Sequence, residues 1–114
     1  MIGRQVGAIF IPVSNIEKAR DWYCDILHIE EKEEIQFEHI YVIPLQGINI
    51  VLDSKIYSEQ NLIKTPLFHF NSTDIKESYR YLQNKAVAIV TDIQFEHYFH
   101  FQDPDGNLLM VCKC

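Results

Sequence analysis

Histidine and glutamate stand side by side twice in this chain, in the same setting: Ile35-Gln36-Phe37-Glu38-His39 recurs letter for letter as Ile93-Gln94-Phe95-Glu96-His97. Imidazole titrates near neutrality and an adjacent carboxylate raises its pKa, so each pair has the makings of acid–base chemistry. His28, His69 and His100 add further nitrogens of the kind that bind transition metals. His97 and His100 are three apart in an expected strand and so point to opposite faces; one site could not take both without a bulge. A metal held by His69 with His39 or His97 is one reading. Hydrogen-bonded strand histidines are the other, and it is preferred for each residue taken singly. For the copied pentapeptide, too, the structural reading comes first, with Phe37 and Phe95 as core and their polar neighbours on the solvent face of a strand. No cysteine or serine has an activating sequence context. Cys24, Cys112 and Cys114 form no CxxC pair, which predicts free thiols in a reducing cytoplasm.

The copy is one part of a longer repeat. A shift of 58 or 59 positions also lays Asn15-Ile16 on Asp74-Ile75, Trp22 on Tyr81 and Gly47 on Gly106. A unit of about half the chain therefore occurs twice, and each copy reads strand, helix, then three strands. In the first, the strand Ala8 to Val13 leads to a Ser14 or Asn15 cap, with Glu17 three residues after Ser14 as in a capping box. Ile16, Ala19, Tyr23, Ile26 and Leu27 then form one apolar helical stripe. Strands are expected at Glu34–Phe37, His39–Leu45 and Ile48–Leu52. In the second copy, the strand Leu67–Asn71 precedes a helix capped by Asp74 and striped by Ile75, Ser78, Tyr79 and Leu82. Strands at Ala86–Thr91, His97–Phe101 and Asn107–Cys112 follow, the last two joined by the turn Asp103-Pro104-Asp105-Gly106.

Composition narrows the function. The chain of 114 residues has ten Lys and Arg against sixteen Asp and Glu, a net charge of −6. With no basic cluster, neither nucleic acid nor an anionic membrane is an expected partner. The apolar run Val6–Val13 is short and contains Pro12, so it reads as a strand and not as a secretory signal or a membrane span. With only four glycines, the chain has no phosphate-cradling loop. The seven Phe and six Tyr suit a cavity lined for a flat or apolar ligand.

The segments Val13-Ser14-Asn15-Ile16-Glu17-Lys18-Ala19-Arg20-Asp21-Trp22-Tyr23 and Phe101-Gln102-Asp103-Pro104-Asp105-Gly106-Asn107-Leu108, set in a doubled unit, resemble the vicinal oxygen chelate superfamily. That group includes glyoxalases, extradiol dioxygenases and the bleomycin- and fosfomycin-resistance proteins. The resemblance runs over nearly the whole chain. It implies an α+β fold of two tandem βαβββ modules, near residues 5–53 and 66–114 with a linker over 54–65, whose curved mixed sheets enclose a cleft. It also implies a homodimer, as in many relatives. Family enzymes hold a divalent metal with one residue of the first strand and one of the last strand in each module. Those positions fall here on Ala8, Val51, Leu67 and Met110. Three have no lone pair, and a single thioether is a poor ligand for such metals. The resemblance therefore leads to a cytoplasmic, metal-free binding protein with no cofactor, its cleft taking a small hydrophobic or aromatic molecule. Ala8, Phe10, Val51, Leu67, His69, Leu108 and Met110 would line the cleft, and Tyr41 and Phe99 would neighbour it. A metal-dependent lyase- or dioxygenase-like enzyme with a displaced His/Glu site is the alternative. An interaction module with a filled cleft is the third reading.

Overall fold

The computed structural model describes every residue from Met1 to Cys114 and divides into two compact units, Met1–Asn61 and Leu62–Cys114. In the first unit, β1 (Ala8–Pro12) leads into α1 (Ile16–Leu27), then β2 (Ile40–Ile43) and β3 (Asn49–Asp53). The sheet order is β1-β3-β2, with β1 parallel and β2 antiparallel to the central β3. The second unit runs β4 (Phe70–Asn71), α2 (Ile75–Asn84), β5 (Ala88–Ile89), β6 (Tyr98–Gln102) and β7 (Leu108–Cys112). Its sheet order is β4-β7-β6-β5, with β7 parallel to β4 and antiparallel to β6. The fold is thus α+β, with two helices and two open mixed sheets. No helix is long and apolar enough to cross a membrane.

Both helices start where side-chain caps allow. Asn15 has an extended backbone and accepts the Lys18 N–H at 3.0 Å, and Asp74 does the same for Glu77 at 3.1 Å. Because Asn15 and not Ser14 is the cap, Glu17 stands one residue short of the reciprocal position and no capping box forms. Each helix buries one stripe. Ile16, Ala19, Tyr23, Cys24 and Ile26 are buried on α1; Ile11, Tyr41, Ile43, Ile50 and Leu52 from the sheet are also core. Ile75 and Leu82 are buried on α2, and the Tyr79 ring meets Phe99 edge-on at 5.1 Å.

The first unit lacks one expected strand. Glu34–Phe37 is reduced to a single bridge between Gln36 and Ile40. The second unit has the same isolated bridge, Gln94 to Tyr98, so what the first unit lacks is a counterpart of β5. β5 in the second unit pairs Ala88 with Gln102 and Ile89 with Phe101. The matching residues of the first unit are Glu30, Glu31, Pro44 and Ile43. Glutamate is a poor strand former, and Pro44 has no N–H to give a ladder.

The pentapeptide copies share a conformation as well as letters, and it differs from the expected one. Phe37 and Phe95 are 80% and 81% exposed, at the tips of tight turns and not in the core. Phe37, Glu38, Phe95 and Glu96 all have positive φ, between 51° and 66°. Each turn is closed in the same way: Gln36 and Gln94 accept the N–H of His39 and His97 at 3.1 and 2.9 Å. The remaining positive-φ side-chain residues, His28 and Ala86, form another pair. They end the two helices in equivalent ways, with Ile29 donating to Cys24 and Val87 to Leu82.

The Asp103–Asn107 turn is fastened by buried polar groups. Asp103 Oδ1 accepts the Asp105 and Asn107 N–H at 3.0 and 2.9 Å, and Asn107 Nδ2 donates to Asp103 Oδ2 at 2.7 Å. Asn107 Oδ1 accepts the Ile63 N–H at 2.9 Å, tying the preceding loop to the hairpin.

Candidate functional site

Each sheet packs one face on its helix and leaves the other as the candidate binding surface. Residues opposite each other in register share a face, which fixes where the expected lining residues go. In the first unit Phe10 pairs with Val51 and Val51 with Val42. These three, with Ala8, lie on the face away from the α1-packed residues. Phe10 is 54% exposed there, whereas Val51 is buried. In the second unit His100 pairs with Met110 and Gln102 with Leu108, so all four share the face away from α2. Leu67 precedes β4 and is 74% exposed.

Tyr41 and Phe99 are placed otherwise. Tyr41 pairs with Leu52 and Phe99 with Val111, which puts both on the helix side, and both are fully buried. Neither shares a face with the other lining residues of its sheet. Their neighbours Val42 and His100 hold the positions on those strands that do. A one-residue shift in strand phase exchanges the two faces. His100, which accompanies Met110 in register, is the residue that sequence reasoning passed over.

His39 Nδ1 lies 2.8 Å from Asp53 Oδ1, and Asp53, which is buried, also accepts the Lys55 N–H at 2.9 Å. This is a hydrogen-bonded histidine engaged within its own unit. The repeat equivalent of Asp53 is Cys112, so His97 has no matching carboxylate. The one group of three or more metal-binding side chains placed close together is His69, Cys112 and Cys114, whose ligand atoms all lie within 4.8 Å of one another. His97 is outside it. Cys112 and Cys114 are joined as a disulfide, with Cα atoms 5.4 Å apart, instead of being the free thiols expected. Only Cys24 is free, and it is buried. The strand geometry brings the two sulfurs together although the sequence has no CxxC spacing.

Electrostatically the interior is quiet. Burial, followed by the hydrogen bond with Cys24, pushes the Tyr41 phenol up to about 12, and burial likewise raises the Cys24 thiol. Neither group is poised as a base or nucleophile near neutral pH. A separate surface pocket of about 410 Å³ in the second unit is lined by Asp74, Ile75, Lys76, Ile93, Glu96 and Lys113. Its charges are mixed and select neither an anion nor a cation.

Comparison with known proteins supplies the family. The sequence model of the Glyoxalase/Bleomycin resistance protein/Dioxygenase superfamily matches residues 5–111. No curated protein sequence matches the chain. Among solved structures, the chain is similar to TnmS3, an antibiotic binding protein from Streptomyces sp. CB03234, with 19% identity and a TM-score of 0.77 over 98% of this chain and 97% of that one. It is also similar to a superfamily member from Sphaerobacter thermophilus DSM 20745, with 21% identity and a TM-score of 0.75 over 98% of each chain. A lactoylglutathione lyase from Agrobacterium tumefaciens gives 12% identity and a TM-score of 0.74 over 98% of this chain and 95% of that one. At such identities a binder and an enzyme match equally well, so these likenesses speak to the fold alone. With the family model covering nearly the full length, the chain belongs to the glyoxalase/bleomycin resistance protein/dioxygenase superfamily.

Proposed function

We propose that this family member binds a small, partly aromatic molecule with protein groups alone, without a resident metal at the strand positions its enzymatic relatives use. The observation that carries this reading is the chemistry of those positions. Neither Ala8 and Val51 in the first unit nor Leu67 and Met110 in the second offer an oxygen or nitrogen ligand, and the single thioether of Met110 is a poor partner for a divalent ion. The same residues suit apolar contact, and Phe10, with more than half its surface exposed, adds an aromatic anchor in the first unit. In the second unit Leu67, Leu108 and Met110 supply the apolar part, with His69 and His100 as polar handles. TnmS3, an antibiotic binding protein by name, supports a binding role within this superfamily.

Calorimetric titration of chelator-treated protein with a panel of aromatic antibiotics, bleomycin among them, tests the proposal. The expected result is a saturable single-site complex with a Kd of about micromolar strength. Met110→Glu, which puts a charge on that face, should weaken it by at least about tenfold. Binding that appears only after a divalent metal is restored would overturn the metal-free reading. No complex under either condition would favour an interaction module instead.

A further inference from the structure

The geometry points to a second site in the Leu62–Cys114 unit: His69, Cys112 and Cys114 form a redox-gated site for a thiophilic cation of the zinc type. His69 and Cys114 are exposed and Cys112 is buried, and the three ligand atoms already lie within 4.8 Å of one another. Tetrahedral zinc, with Zn–S near 2.3 Å and Zn–N near 2.0 Å, places its ligand atoms about 3.5–3.8 Å apart. Two thiolates and an imidazole select zinc or similarly soft ions over magnesium or calcium. His69 Nδ1 is 3.4 Å from the Phe70 carbonyl oxygen, which can only accept a hydrogen bond. A proton held at Nδ1 leaves the lone pair on Nε2. Since Cys114 and His69 face solvent, the fourth position would be open to water.

The disulfide sets the condition for binding. A dithiol reductant supplies the change: one of its thiolates attacks the exposed Cys114 sulfur, the S–S bond breaks, and Cys112 leaves as a thiolate. The second reductant thiol then displaces Cys114 from the mixed disulfide. Two electrons and two protons pass to the protein as two thiols, and the reductant ends as a disulfide. Cation binding releases both thiol protons. The site therefore exists only in the reduced protein. It does not rest on the small-molecule reading, although it shares His69 with that reading, and its ligands differ from the residues at the family positions, which are Leu67 and Met110 in this unit.

The test uses the full chain and cobalt(II) as a coloured stand-in for zinc. Protein reduced and then freed of reductant under nitrogen should give a thiolate-to-cobalt charge-transfer band that saturates at one equivalent and is bleached by zinc. The oxidised protein should give none. Cys114→Ser and His69→Ala should each weaken cobalt binding on the order of 100-fold, and Cys24→Ser should leave it unchanged. Circular dichroism checks that the variants are folded, and the oxidised wild type serves as a control that needs no substitution. No band in the reduced protein overturns the proposal. So does a band of equal strength in the oxidised protein, or undiminished binding in either ligand variant.

Discussion

The Tyr41 hydroxyl lies 3.8 Å from the Cys24 sulfur in the core of the first unit, and burial there raises the phenol from 10.0 to about 12. Between those two values the unfolded chain has lost this proton while the folded chain keeps it. Unfolding therefore releases a proton, and stability falls as pH rises through the interval. The midpoint of urea unfolding should drop from pH 10 towards 12 in the wild type, and Tyr41→Phe should flatten that decline. An unchanged slope in the variant would assign the alkaline sensitivity to other groups. Which way such a side chain points was the hardest thing to read from sequence. Ala8, Phe10 and Val51 could be counted from motif positions, but Ile40–Ile43 is an unbroken β-branched and aromatic run whose two faces look alike. Nothing in Ile-Tyr-Val-Ile distinguishes the phase that buries Tyr41 from the one that buries Val42. In β6 the phase is legible, since Phe99 and Phe101 alternate with His100 and Gln102, a pattern that sets the phenylalanines on the packed face. The Cys112–Cys114 pair was missed for a different reason: residues two apart at the end of β7 lie on one side by local strand geometry, but the spacing carries no recognised motif.

At the scale of elements, helices and hairpins were legible because their signals are local. Asp74 three residues before Glu77 and glycine in the last hairpin turn specify their conformations almost without context. The copied Gln-Phe-Glu-His turn was not legible, since nothing in its composition advertises positive φ. A glutamate in that region pays a steric cost that glycine avoids. Glu38→Gly and Glu96→Gly should therefore each stabilise the protein by about 0.5–1 kcal/mol, after allowing for the added freedom of glycine in the unfolded chain. Thermal unfolding followed by circular dichroism would check this, and a fall in Tm for both would contradict the backbone assignment. The missing strand of the first unit belongs at this scale too. Both halves share the plan, yet Glu30, Glu31 and Pro44 remove the pairing capacity that Ala88, Ile89 and Gln102 keep.

For the whole molecule, the charge of −6 bears on which ligand the proposed binding face would prefer. A net negative field attracts cations and repels anions, and salt screens both effects. Among the aromatic antibiotics, cationic ones should bind more tightly than anionic ones of similar size. Their affinity should fall by about tenfold between low and high salt, while neutral members change little; titrations at two ionic strengths would show it, and a preference for anions would count against a charge-guided ligand. The repeated backbone has another use at this scale. Three pairs of non-glycine residues with positive φ, His28 and Ala86, Phe37 and Phe95, and Glu38 and Glu96, recur 58 positions apart in one molecule. Each half is therefore a built-in control for the other. The same substitution made in one twin and then the other is measured in the same solvent, on the same chain and with the same local conformation. For the two pairs that are also identical in side chain, Phe37 with Phe95 and Glu38 with Glu96, any difference between the results reports on surroundings alone, a separation that single-copy folds do not offer.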